Sequence, residues 1–374
     1  MFSACSLLNE KTFNSEKFLT RLFLCFRSFF CYRNMNRRKK RFLKQEVLLG
    51  IDTIEVVIDT QTILNKNNIT FYSSNGNEVG KLVHRQGKKK GYNLILNLPR
   101  CVRQNNIQPF SVLDADKIYE ITTIVVKQLK KHFGEQLPDL TVKSAEVGAT
   151  MEIANKKNVQ PILNMITGML LQDKENIVYI ACRGKKIGQR YNKVQTLASG
   201  VNVESIKLPQ NSSGRFASKY YDKGLEKDIA DEHGIIRVEH IYNKRGLNYA
   251  NTGNSLQEFL TVDSIHNLIM CFKRDFKLYF CDRYWSNTGS LPYYRQCIQI
   301  LKNDLKTKKP LTVALMNRNI VEQDFEFFIR AVKSHYNNSA SARQAIYRVR
   351  KSGEIEIHEG VATQFVMFCR QVVA

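Results

Sequence analysis

Residues 51–59, IDTIEVVID, are rich in β-branched and apolar residues, the pattern of a strand. The following stretch, NITFYSSNGNEVGKLVHRQGKKKGYNLILNLPR, breaks similar runs at Asn-Gly and at a Gly-Lys-Lys-Lys-Gly turn, so residues 68–100 read as an antiparallel meander. The period then changes. Over residues 112–133, Ile118, Ile121, Val125 and Leu129 share one helical face, with Asp114 as candidate cap and Gly134 as the stop. Alternation returns in LTVKSAEVGATMEI, where Val147, Ala149, Met151 and Ile153 face one side and Glu146, Thr150 and Glu152 the other. A helix over 159–172 follows, then a strand pair in ENIVYIACRGKKIGQRYNKV, then the loop NSSG (211–214). RFASKYYDK (215–223) reads as a strand, Gly224 and the acidic stretch to Gly234 as its turn, and IIRVEHIY (235–242) as the return strand.

The order βββ-α-β-α-ββ-ββ predicts an α+β fold, an antiparallel sheet with helices packed on one face. Beyond about residue 255 the pattern turns helical, in SLQEFLTVDSIHNLIMCFKRDF, LPYYRQCIQILKNDLK and VEQDFEFFIRAVKSHY. The expected organisation is a basic N-terminal extension or arm (1–50), an α+β domain (51–254) and a mainly helical C-terminal domain (255–374).

Charge adds a partner. The chain has 374 residues, 43% of them hydrophobic, with 57 Lys and Arg against 34 Asp and Glu. The net charge of +23 is spread along the chain, which favours a nucleic-acid partner over simple solubility or a membrane surface. Five consecutive basic residues, Arg37 to Arg41, form an arm suited to phosphates. Nine scattered cysteines lack Cys-x-x-Cys or Cys/His spacing, which excludes a zinc knuckle and a disulfide framework and fits reduced thiols in a cytoplasm. The apolar run FLTRLFLCFRSFFC (18–31) is broken by Arg21 and Arg27 and is too short to span a bilayer, so no stable membrane association is expected. Met35 opens a coherent new segment, which leaves open whether residues 1–34 are translated.

The hairpin of residues 215–242 concentrates the chemistry. Alternation places Arg215, Lys219, Tyr221 and Lys223 on one face of the first strand, and Arg237 and Glu239 on one face of the second. If the faces coincide, a phenol, several cations and a carboxylate converge. The plainer reading is a surface ion pair, Arg237–Glu226 or Lys223–Glu239, across an ordinary hairpin, which contributes little. A tyrosine with an unperturbed pKa near 10 is a weak nucleophile, but nearby cations favour its phenolate and a carboxylate-held divalent ion can draw charge from a phosphate.

The hairpin also carries a resemblance. Tyr221-Asp222-Lys223-Gly224-Leu225-Glu226, followed by Gly234-Ile235-Ile236-Arg237-Val238-Glu239, is similar to the Tyr-x-Lys-x-x-Glu and Gly-hydrophobic-hydrophobic-Arg-hydrophobic-Glu pattern of rolling-circle replication initiators of the filamentous-phage gene II type and related plasmid initiators. Ile-Asp-Thr-Ile (51–54), LILNLPRCVRQNNI (94–107), TVKSAEVGATMEI (141–153) and the basic SARQAIYRVRKS (341–352) resemble that family in the same order. The resemblance covers about residues 51–250 and is weaker beyond. It implies that Tyr221 nicks origin DNA as a 5′-phosphotyrosine and leaves a 3′-hydroxyl primer, with later rejoining of the strand. It further implies that Lys223 and Arg237 stabilise phosphate charge and that Glu239 and Glu146 are metal ligands. Two departures stand at the acidic strand: Ser144 replaces the family arginine, and Glu146 replaces an aspartate.

Tyr220 is the alternative nucleophile or a base-stacking platform, although alternation points it to the opposite side. None of the seven histidines forms a His-hydrophobe-His pair, so a metal site would be carboxylate-rich and suited to Mg²⁺ or Mn²⁺; His240 reads as structural and His233 as solvated. Arg215, Lys219, Arg343, Arg348 and Arg350 are the candidate DNA contacts, the last three on a basic helix that is otherwise a solvated amphipathic one. The implied partners are double-stranded origin DNA, single-stranded DNA, and a host helicase and polymerase in a bacterial cytoplasm. A tyrosine recombinase is excluded because no His-x-x-Arg occurs. The rivals that remain are a non-enzymatic origin-binding protein and, resting only on residues 18–31, a membrane-associated one.

Overall fold

The computed structural model describes residues 47–374 apart from 63, 65–67, 74, 86–89, 104–105, 154, 173–177, 183–188, 192–202, 227–233 and 285–291. The apolar run 18–31, the basic arm at 37–41, His233 and most of the acidic turn lie outside the described residues.

Ten strands form one antiparallel sheet in the order β2-β3-β4-β1-β5-β10-β9-β8-β6-β7. They are β1 (Leu48–Ile58), β2 (Asn68–Tyr72), β3 (Glu78–His84), β4 (Tyr92–Asn97), β5 (Leu140–Ile153), β6 (Val178–Cys182), β7 (Gln189–Tyr191), β8 (Val203–Leu208), β9 (Phe216–Asp222) and β10 (Gly234–Asn243). The longer helices are α1 (Ile118–Phe133), α2 (Val159–Leu171), α3 (Val262–Phe276), α4 (Pro292–Leu305), α5 (Phe325–His335), α6 (Ser339–Ser352) and α7 (Val361–Val373). The expected α+β class is observed, with a mainly helical C-terminal half.

Local chemistry moves two boundaries, and pairing adds a strand. The meander stops at Asn97 rather than residue 100, because the Asn97 side chain caps Arg100 N at 3.0 Å and Pro99 lies in the first turn, starting a short helix Leu98–Val102. Ser111, not Asp114, caps the turn ahead of α1; Asp114 completes a capping box by accepting from Ser111 N at 2.9 Å. Strand β8, which the hydrophobic pattern does not single out, pairs with β9 and β6.

One sheet face is apolar. Ile54, Val56, Val147, Ala149, Val238 and Tyr220 are buried there, and α3 packs on β1 and β5 while α2 packs on β8 and β9. Helix α2 is buried along nearly its whole circumference because α7 covers its other side. An aromatic file joins α3 to the sheet: His240 stacks on Phe216 at 4.1 Å and meets Phe272 edge-on at 4.8 Å, Phe276 stacks on Phe280 at 5.1 Å, and Tyr220 lies 5.6 Å from Phe280. Between them Asp275 accepts from Arg215 at 3.0 Å and from the Tyr242 hydroxyl at 3.0 Å. Arg215, expected on the face of Tyr221, is thus a buried tie to α3. It precedes the first residue of β9, so strand alternation does not govern it.

His240 sits in this file fully buried, and burial lowers its pKa from 6.5 to about 3. The unfolded chain therefore takes up this proton first, so the stability is complete above pH 6.5 and is lost progressively as pH falls toward about 3. His240→Phe, which keeps the ring stack, should remove about 1.4 kcal/mol per pH unit of that slope below the unfolded pKa. Urea midpoints of both proteins between about pH 7 and about pH 5 test this; equal slopes would refute it.

Candidate active site

The other sheet face carries the polar groups. Pairing sets Tyr221 opposite Arg237 and Lys219 opposite Glu239 between β9 and β10. Across β10 and β5, Arg237 meets Thr150 and Glu239 meets Gly148; across β5 and β1, Glu146 meets Thr53. Because opposite residues of an antiparallel pair share a face, these side chains converge by register alone. Asp52 joins them for a different reason. The register shift between Ile51 and Thr53 frees it from strict alternation, and its carboxylate reaches Arg237 at 3.1 Å and Lys223 at 3.6 Å.

Tyr221 is the centre. Its hydroxyl donates to Glu239 Oε1 at 2.7 Å and accepts from Lys223 Nζ at 3.2 Å. The Lys219 ammonium lies 3.9 Å over the phenol ring and 4.0 Å from Glu239 Oε2. Lys223 arrives from beyond the strand: β9 ends at Asp222, and Lys223 opens the helical turn Lys223–Glu226. Tyr220 points away into the aromatic file, where burial raises its hydroxyl well above the usual tyrosine range.

Arg237 is 1% exposed and heavily engaged. Its Nε donates to Thr150 Oγ1 at 2.9 Å, its Nη2 donates to Asn106 O at 2.6 Å and also to Ile107 O, and its Nη1 lies 3.8 Å from Glu239. These bonds fasten the segment between the short helix and α1, which is also clipped to β1 by Phe110 N to Ile51 O at 2.9 Å and Ile51 N to Phe110 O at 2.8 Å. Gly50 permits that approach, since a Cβ there would stand 2.2 Å from Phe110 O. Gly148 does the same for the carboxylate: a Cβ would stand 2.9 Å from Glu239 Cγ.

Asp52, Glu146 and Glu239 bring carboxylate oxygens within 4.8 Å of one another and could hold a metal ion. Burial, then the charges of Glu239 and Asp52, pushes Glu146 up to about 7, and burial with Asp52 raises Glu239. Glu239 Oε2 is buried without a hydrogen-bond donor among the described residues. An all-oxygen donor set with such an orphaned atom fits a hard divalent cation. The sequence reading pointed to Glu146 and Glu239 but missed Asp52; an aspartate inside the apolar run Ile51–Ile58 was the available signal. Of the other expected contacts, Arg343 and Arg348 are exposed on α6, while Arg350 pairs with Glu359.

The cluster opens into a cleft of about 280 Å³ that runs across the polar face to Lys81, Ile95 and Arg100. No protein-family model and no curated protein matches the chain. Among solved structures, that of a rolling circle replication initiator protein from Geobacillus stearothermophilus aligns with 54% of this chain and 76% of its own, at 10% identity and a TM-score of 0.25. At that score the likeness carries no argument. Among the described residues no helix is long and apolar enough to cross a membrane.

The electrostatics give a direct test. Asp52→Ala leaves Arg237 and Lys223 buried without this carboxylate and should cost about 3–5 kcal/mol. Denaturant unfolding reads the loss; a change below about 1 kcal/mol would mean that these ion pairs do not hold the site.

Proposed function

We propose that this protein initiates rolling-circle DNA replication by nicking one origin strand with Tyr221 and later rejoining it. The observation that carries this reading is the Tyr221 hydroxyl, held between Glu239 at 2.7 Å and Lys223 at 3.2 Å beside a carboxylate trio. The colinear sequence resemblance supports it independently, as does the basic balance of the chain.

In this reading Glu239 Oε1 accepts the phenol proton and Lys223 stabilises the phenolate that remains. The phenolate oxygen attacks phosphorus, forming the Tyr221–phosphate ester. The bond from phosphorus to the 3′ oxygen breaks, and that oxygen takes a proton from water to become the primer hydroxyl, while Glu239 returns the phenol proton to solvent. The reverse attack by a 3′ hydroxyl rejoins the strand without ATP, because the ester conserves the linkage. Lys219, 23% exposed at its side chain, is the cation best placed to meet the incoming phosphate. Arg237 is assigned an indirect part: its buried bonds to Thr150, Asn106, Ile107 and Asp52 hold the pocket rather than the substrate. Asp52, Glu146 and Glu239 would hold Mg²⁺ or Mn²⁺, whose chemistry here is to withdraw charge from non-bridging phosphate oxygens. Arg343 and Arg348 on α6 are assigned to duplex origin DNA. A host helicase and polymerase extending the 3′ end, and action in a bacterial cytoplasm, complete the proposal.

Incubation with supercoiled origin DNA and Mg²⁺ should give open circles with protein on the 5′ end. Tyr221→Phe should abolish the adduct and Tyr220→Phe should retain it. An adduct that survives in Tyr221→Phe overturns the assignment, and no adduct with the native chain favours a non-enzymatic origin-binding protein. Separately, Mn²⁺ at about a hundredfold above its Kd should stabilise the protein by about 2.7 kcal/mol. Glu146→Gln should blunt that shift in a thermal melt, and an equal shift in both would remove Glu146 from the ligand set.

A further inference from the structure

The cleft extends well past the tyrosine. From Tyr221 and Lys219 on β9 it passes Glu146 and Thr53 and reaches Asn97 and Ile95 on β4, Arg100 on the short helix, and Glu78 to Lys81 on β3. Strands β9 and β3 are five strand spacings apart, about 24 Å. The two ends differ in chemistry. The tyrosine end holds the three carboxylates, whereas the far end places an apolar side chain between cations. Ile95 is 41% exposed on the strand face it shares with Asn93 and Asn97, both polar. Lys81 stands directly opposite it in the β3–β4 register. The Arg100 guanidinium has no acidic partner among the described residues, and Lys81 has only the exposed Glu78 at 3.2 Å, a pair of little strength.

We infer that this far end, Lys81, Ile95 and Arg100, is a subsite for unpaired DNA that seats a nucleotide away from the cut, with the cations on phosphate and Ile95 against the base. The inference rests on the nicking reading for its choice of polymer. Unpaired rather than duplex DNA follows from Ile95, since an apolar side chain can lie against a base face only where that base is unstacked, as it can be in a single strand. Aliphatic contact carries no hydrogen-bond code, so the subsite takes any base. Glu78 at the rim repels phosphate and keeps the strand toward Arg100.

Fluorescence anisotropy with a labelled single strand of about twelve nucleotides tests it. Lys81→Ala and Arg100→Ala should each weaken binding about 3- to 10-fold and reduce the salt slope of log K by about 0.7, the loss of one phosphate contact. Ile95→Ser should weaken binding without altering the slope. Lys127→Ala, on the outer face of α1, is the control and should change neither. Unchanged affinity and slope in the Lys81 and Arg100 variants, or an equal loss in the Lys127 variant, overturns the subsite. The two readings separate cleanly. If the native chain forms the Tyr221 adduct while these variants bind like it, the subsite fails and the nicking reading stands. If it forms no adduct but the variants lose affinity as expected, nicking fails and the subsite stands.

Discussion

The guanidinium of Arg237, almost wholly buried in the middle of a sheet, is the constraint around which the polar face is organised. An arginine does not lose its charge on burial, so its charge must be balanced and most of its donors met or the fold loses several kcal/mol. The surroundings follow from that demand. Thr150 supplies a hydroxyl from the neighbouring strand, Asn106 and Ile107 supply carbonyls, and a bulge in β1 supplies Asp52. The same carbonyls fix the path of the segment that brings Asn106 into the cleft lining, and the same carboxylate is shared with Lys223. Removing the guanidinium would therefore disturb a loop, a strand irregularity and the lysine at the tyrosine hydroxyl together. Buried ion pairs of this kind add little net stability compared with apolar packing. Their retention here is better explained by what they position.

The sheet separates two kinds of work by its pleat. On one face aromatic rings, with His240 among them, fasten the sheet to α3; on the other, charged groups converge on a phenol. Tyr220 and Tyr221 are neighbours in sequence and yet belong to different environments. A slip of one residue between β9 and β10 would exchange them and bury Lys219 among phenylalanines. The apolar side therefore enforces the register that the polar side needs.

How far this was legible in the sequence depends on where regular alternation holds. It correctly put Lys219 and Tyr221 together and set Arg237 and Glu239 on one face, because β9 and β10 are regular across those positions. It failed at strand ends. Arg215 lies just outside β9 and turns to Asp275, and Lys223 reaches the tyrosine from a helical turn rather than by strand period. Asp52 was hidden by the bulge, a feature that depends on pairing with β5 and leaves no periodic trace. Strand β8 has mixed burial and is recognised by its partners rather than by its own pattern. Helices α1 and α2 were plain, since their apolar faces are long and Gly134 ends α1.

The tyrosine hydroxyl itself sets a chemical problem that the cluster is suited to meet. A phenol is a poor nucleophile until its proton leaves, and a buried phenolate is costly unless a cation is already in place. At Tyr221 the acceptor and the cation sit on the same oxygen, so the proton can move toward Glu239 while Lys223 stays within 3.2 Å of the charge that develops. Neither group has to be recruited from solvent, and water-poor surroundings strengthen both interactions. Lys219 complements them from the ring face, where it favours a negative phenol and remains partly exposed to an approaching anion. An ordinary surface hairpin would have no use for three cations and three carboxylates packed around one hydroxyl, most of them below a tenth exposed. Such a concentration of shifted ionisable groups in a cleft is the physical signature on which the nicking proposal rests.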